Sequence, residues 1–222
     1  MVAIVGYILI AVLAYLLGSI PTGFLVGKSR GIDIRQVGSG NIGATNAFRA
    51  LGTPAGVFVL LMDALKGWLA VAVLAELVLI RCLPGASPLE REWARIVAGV
   101  TAILGHNFTC WLHFRGGKGI ATSAGVLTAL VPAALAVILG VWVIVFGLTR
   151  FVSLGSICAS FVLPFATWFT TAHDLTLTAI TGALAGLAIY KHKSNMRRLL
   201  AGTENRIGGK KNATERVPEK KA

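Results

Sequence analysis

Long uncharged apolar runs alternate along the chain with short segments rich in glycine and in lysine or arginine. Residues 1–27 carry no charge and are followed by Lys28 and Arg30. A signal peptide has its basic residues ahead of the apolar stretch, so this run predicts a retained first span with its N-terminus outside. Gly18, Pro21, Gly23 and Gly27 predict a bend at its inner end. Residues 54–80 form a second span that contains Asp63 and Lys66. Three apart on a helix, these share a face and can pair, with Glu76 further along. An internal ion pair or a packing role suits them better than direct chemistry, although ionisable groups at membrane depth point to function. Residues 81–95 read as an outer connection of mixed charge, and residues 96–114 as the third span. The uncharged run 119–149 is either one tilted helix or two short ones divided around Pro132. One helix gives six spans and leaves Arg150 and the basic tail outside, whereas two give seven and put every basic segment inside. Residues 151–171 and 175–190 complete the spans, with His173 and Asp174 in an outer turn.

The pattern therefore predicts an all-α integral membrane protein of seven transmembrane helices. Its N-terminus lies outside, its C-terminus is cytoplasmic, and its glycine-rich loops face the cytoplasm. Residues 1–206 form a single polytopic domain, and residues 207–222 a basic, disordered cytoplasmic tail. Composition sharpens the class: 55% hydrophobic and 14% charged residues, with a mean hydropathy of +0.76, exclude a water-soluble domain. Cys82, Cys110 and Cys158 show no CxxC or metal-like spacing and read as buried small hydrophobes, and their odd count argues against a disulfide framework and redox chemistry. Of the net charge of +12, residues 191–222 supply seven, ten Lys or Arg against Glu204, Glu215 and Glu219. Beside spanning helices such charge reports the cytoplasmic side and anionic lipid, not nucleic acid.

Chemistry concentrates in three inner segments. Residues 37–52, VGSGNIGATNAFRALG, gather Gly38, Ser39, Gly40, Asn41, Gly43, Thr45, Asn46 and Arg49 between two apolar runs. Glycines let successive N–H groups point at one spot, neutral donors add to them, and an arginine supplies a charged fork, which together suit phosphate. The segment also matches the dinucleotide fingerprint, but it follows an apolar span rather than the strand of a soluble βαβ unit. The second segment follows His106-Asn107-Phe108: Arg115-Gly116-Gly117-Lys118-Gly119, a basic glycine loop without Walker spacing that opens an apolar helix. The third, residues 190–204, offers His192 and Asn195 on one face of a continuing helix, with Arg198 below and Glu204 beyond. Arg150, Ser153 and Ser156 in the inner turn before the sixth span are candidates to line the same site. Together the segments suit a small phosphorylated substrate, with two phosphates, next to lipid. No GxSxG motif and no metal-ligand cluster is present.

The combination GSGNIGATN with Arg49, GHNF followed by RGGKG, and YKHKSN followed by RRLLAGTE resembles the bacterial acyl-phosphate:glycerol-3-phosphate acyltransferase family, in the same order along nearly the whole chain. Met196 stands where the family usually has isoleucine, a swap of similar volume. The resemblance implies transfer of a fatty acyl group from acyl phosphate to the 1-hydroxyl of glycerol 3-phosphate. The products are lysophosphatidate and phosphate, and the step is the first acylation of phospholipid synthesis. It implies that Ser39 and Arg49, with the glycines and asparagines around them, hold phosphate. By the same resemblance Gly116, Gly117, Lys118 and Gly119, beside His106 and Asn107, form the glycerol 3-phosphate pocket, and His192, Asn195 and Glu204 complete the centre. Acyl phosphate is already activated, so no covalent nucleophile and no cofactor or metal is required. The attacking proton goes to His192 or to the phosphate of the donor. The His–Asp pair of the commoner glycerolipid acyltransferases is missing, since the fifth residue after each histidine is Trp111, Lys118, Thr178 or Arg197. The implied location is the bacterial inner membrane, with the active site facing the cytoplasm and no stable protein partner. The main competing class is a membrane transporter for an organic phosphate, whose polar residues and broken helices belong near the midplane.

Overall fold

In the computed structural model, residues 2–208 are described, and their regular structure is entirely helical. The basic tail expected from residue 207 onward lies outside the described residues from 209. Two compact units divide the chain, one up to residue 126 and one from 127 to 209.

The first unit begins with α1, Val2–Ser19, and α2, Thr22–Ser29, two parts of one apolar stretch interrupted at Ile20 and Pro21. Pro21 has no N–H to continue the ladder, which is why the expected bend appears as a break. After a short 3₁₀ turn at Ile34–Gln36 come α3, Ala44–Leu51, and α4, Thr53–Leu69. A π-helical turn, Ala70–Leu74, joins α4 to α5, Ala75–Cys82, so that Thr53–Cys82 runs on as one apolar helix. Helix α6, Pro88–Asn107, starts well before the expected third span and stops short of its end. Ser87 explains the early start: its hydroxyl accepts from the Glu90 N–H while the Glu90 carboxylate accepts from the Ser87 N–H, a closed capping box. Hydrogen bonds from Ser87 hold the Glu90 carboxyl below its usual range. Helices α1 and α6 pack closely because Gly18 lies against the Ala102 carbonyl and Gly105 against that of Tyr15. Ile10, Ala14, Val78, Leu79, Ala98 and Ala102 fill the contact.

Helix α7, Ile120–Leu130, runs from the first unit into the second. The second unit continues with α8, Pro132–Thr149, α9, Val152–Thr170, α10, Leu175–Lys191, and α11, Lys193–Leu200. Of the two readings of residues 119–149, the structure takes two helices, parted at Val131 and Pro132. Leu127, Ala134, Ile138, Ala159, Leu163 and Ala185 form the core of this unit. Four stretches are long and apolar enough to cross a bilayer: Ala3–Ser29, Thr53–Cys82, Pro132–Thr149 and Val152–Thr170. Ile120–Leu130 and Leu175–Lys191 are shorter apolar helices. Large apolar side chains point outward along these elements, among them Ile8, Leu61, Ile144, Leu148, Phe161 and Phe169, the surface that hydrocarbon requires.

Candidate active site

Residues 37–52 are not one loop. The glycine turn ends at Gly43, and residues from Ala44 onward form α3, so Thr45, Asn46 and Arg49 are helical. Asn46, almost fully buried, organises the turn from within α3. Its Oδ1 accepts the Ser39 N–H at 2.9 Å, and its Nδ2 donates to the carbonyls of Ile34 and Val37. Gly38 and Gly40 have φ of 62° and 68°, a left-handed backbone that curls the chain around this amide. Asn41 Oδ1 accepts from the Gly43 N–H, which sets the entry to α3. Ser39 is left exposed at the tip, and the positive end of α3 faces the turn. Asn46 thus acts on the turn through its backbone, a role that differs from direct contact with substrate.

The second loop is bound to the end of α6. Gly117 N–H donates to the His106 carbonyl and Gly116 N–H to that of Asn107. A side chain on Gly117 would run into His106 Nε2, and one on Gly116 into the His106 carbonyl. The loop therefore lies flat on His106 and Asn107, and only glycine fits. Gly119, at φ 79°, then turns the chain into α7, placing Lys118 between buried Gly117 and Gly119 at the head of a helix. Behind α6, Thr109 Oγ1 donates to the Ser19 carbonyl and Tyr15 Oη to that of Phe108. These bonds pin the sequence His106–Thr109 to α1.

Asp63 and Lys66 pair as their spacing predicts, at 2.9 Å, with only 2% and 5% of each residue exposed. Their other partners are not visible from spacing along the chain. Thr22 Oγ1 donates to Asp63 Oδ1, Lys66 Nζ donates to the Ile20 carbonyl at the α1–α2 break, and His106 Nδ1 lies 3.7 Å from Asp63. Glu76, further along the same helix, pairs with Arg91 at 2.7 Å.

In the second unit α10 does not simply continue inward. It stops at Lys191, His192 forms the joint, and α11 follows. His192 is buried, and its Nδ1 lies 2.8 Å from the Ala188 carbonyl. A carbonyl can only accept, so Nδ1 carries the proton and Nε2 is the basic nitrogen of the neutral ring. Glu204 folds back on the chain through Gly202, whose φ is 68°. Glu204 Oε1 accepts from Asn195 Nδ2 at 2.7 Å and Ser153 Oγ at 2.8 Å, and Oε2 accepts from Arg198 Nε at 2.7 Å. Burial would raise the pKa of this carboxyl, but the three donors and the arginine charge outweigh it and hold it below the usual range. Glu204 is thereby an anchor that ties α11 to the start of α9. Ser153 and Arg198 belong to the same knot, and Arg206 stacks over Phe151 beside it.

A family model described as glycerol-3-phosphate acyltransferase matches residues 8–202 of this chain. The glycerol-3-phosphate acyltransferase of Fusobacterium nucleatum is 42% identical over 197 residues, covering 88% of this chain and 95% of that protein. The corresponding protein of Synechococcus sp. strain JA-2-3B'a(2-13) is 46% identical over 207 residues, covering 91% and 96%. Among solved structures, the crystal structure of PlsY (YgiH), an integral membrane glycerol 3-phosphate acyltransferase, in its glycerol 3-phosphate form superposes with a TM-score of 0.77. It shares 36% identity and covers 90% of this chain and 94% of its own. The lysophosphatidic acid form of the same protein gives 0.75 at 35% identity. The chain belongs to the glycerol-3-phosphate acyltransferase family.

Proposed function

We propose that this protein transfers a fatty acyl group from acyl phosphate to the 1-hydroxyl of sn-glycerol 3-phosphate, giving 1-acylglycerol 3-phosphate and inorganic phosphate. One observation carries the reading: two glycine turns that each open a helix, Lys118 within the second and Arg49 in the last turn of the helix that the first opens, and elsewhere an imidazole whose tautomer leaves Nε2 basic. The hydroxyl oxygen bonds to the acyl carbon, and the bond from that carbon to the phosphate oxygen breaks. Phosphate leaves with the electron pair. Ser39 and Arg49, with Gly38, Gly40, Asn41, Gly43 and Thr45, bear on one phosphate, and Lys118 with Gly116, Gly117 and Gly119 on the other. Such groups neutralise charge that grows on the leaving phosphate. His192 Nε2 takes the proton of the attacking hydroxyl, and Asn195 and Glu204 keep the helix that follows His192 in place.

The chain is a multi-pass membrane protein. Seven spans, an outer N-terminus and a cytoplasmic C-terminus and site are the arrangement that best fits its basic segments. The bacterial inner membrane is the matching location, with residues 1–206 as one catalytic domain. The reaction asks for no cofactor or metal.

The test uses detergent-purified protein given palmitoyl phosphate and glycerol 3-phosphate, with acyl-CoA and acyl-carrier protein as alternative donors. Product from acyl phosphate alone is expected, together with stoichiometric phosphate. Ser39→Ala, Lys118→Ala and His192→Ala are each expected to lower kcat/KM by about a hundredfold or more. Near-normal turnover in His192→Ala would assign the proton to the donor phosphate instead. No product from any donor, with unchanged organic phosphate accumulating inside sealed vesicles, would replace transfer with transport.

A further inference from the structure

Asp63 and Lys66 lie in a span and outside both glycine turns, yet their partners lead to each turn. On one side, Asp63 holds the hydroxyl of Thr22, the first residue of α2, and Lys66 holds the carbonyl of Ile20 that the Pro21 break leaves out of the helix. The next residue, Gly23, lies so close to the Ile42 carbonyl of the first turn that no side chain fits between them. On the other side, His106 faces Asp63 through Nδ1 and abuts Gly117 through Nε2, while its carbonyl binds the Gly117 N–H. One imidazole thus stands between the two, its Nδ1 edge turned to the carboxylate at 3.7 Å and its Nε2 edge against the second turn.

We propose that the Asp63–Lys66 pair is a positioning device that sets the separation of the two phosphate-binding turns, through Thr22 and Gly23 to residues 37–43 and through His106 to residues 115–119. The proposal rests on the reading of both turns as phosphate seats. A buried pair is a poor source of net stability, because desolvation cancels much of its attraction, but it holds its neighbours in a single arrangement. In apolar surroundings each charge must keep its partner, so a shift of α2 against α4 or of α6 against α4 is resisted. A substrate with phosphate in one turn and its reacting hydroxyl near the other site needs that fixed spacing.

The experiment compares the full-length protein with Asp63→Asn, Lys66→Met and the double variant, following kcat and KM for glycerol 3-phosphate and the rise in melting temperature that glycerol 3-phosphate induces. Each single variant is expected to raise KM by about tenfold while kcat stays within about threefold, with the double variant no worse than either single one. Lower melting temperatures with an unchanged KM would make the pair merely structural and overturn the proposal. Should neither variant fold, Thr22→Val keeps the pair and removes one tie; a KM raised about threefold supports the device, and an unchanged KM overturns it. Absence of product from the unsubstituted protein would count against the reaction alone. In that case a ligand-induced melting shift that Asp63→Asn abolishes upholds the device, and a shift that survives the substitution, or none in the unsubstituted protein, overturns it.

Discussion

Asn46 makes three hydrogen bonds to backbone from a side chain with almost no exposure, so its removal leaves the Ser39 N–H unanswered and takes one donor from each of the carbonyls of Ile34 and Val37. Asn46→Ala is expected to cost about 2–3 kcal/mol of stability and to weaken phosphate binding, as read by denaturation in detergent and by KM. Asn46→Asp keeps the acceptor for Ser39 but loses both donors, so it should recover only part of either quantity. At Gly117 the obstacle is steric. A single methyl meets the edge of the His106 ring, and Gly117→Ala is expected to reduce kcat/KM for glycerol 3-phosphate by about a hundredfold. Glu204 carries a linkage effect. Its carboxyl is held below the usual range in the folded protein, so it adds stability above its unfolded pKa and loses that contribution as pH falls through the folded value. The protein is therefore expected to lose stability more steeply below about pH 4.5 than Glu204→Gln does, when melting temperature is followed against pH.

At the scale of elements, the segment from His192 to Glu204 works as a helix, a turn and a return. Gly202 is the turn, in a conformation that costs an alanine about 1–2 kcal/mol. Gly202→Ala is expected to lower the melting temperature and, by displacing Glu204 from Asn195 and Arg198, to lower kcat more than KM. The return of Glu204 was not legible in the sequence, because spacing along a chain does not say where a carboxylate goes after a left-handed turn. The uncharged runs and the Asp63–Lys66 pair were legible, since length, charge and helical periodicity determine them directly. The division at Pro132 was open on periodicity and was decided by the distribution of charge. Helix α3 was hidden by Gly43 and Gly52 at its two ends and by Thr45 and Asn46 within it, residues that favour turns; Phe48 packing on Gly56 of α4 supplies what propensity lacks. The true start of α6 was masked by Glu90, Arg91, Glu92 and Arg95, although Ser87, Pro88 and Glu90 spell a helix start.

For the molecule as a whole, the apolar faces turned outward make lipid or detergent a condition of folding, and the basic segments predict its direction in the membrane. A green fluorescent protein joined after residue 206 is expected to fluoresce, and alkaline phosphatase at the same point to stay inactive, which marks a cytoplasmic end. Active phosphatase there would overturn the seven-span arrangement. Along the longest apolar helix, the charged pairs at Asp63 and at Glu76 are separated by the π turn, Ala70–Leu74. A π turn takes in one more residue than an α turn, and one residue advances the helix by about 100° of rotation. Asp63 toward Thr22 and Glu76 toward Arg91 are thus aimed by two halves of a helix that are out of phase. A chain lacking one residue between them would have nearly the same hydropathy profile, yet one end would face the wrong neighbour. The widened turn is a phase correction, and gaps of a single residue at that point among related chains should coincide with a change in one charged pair or the other.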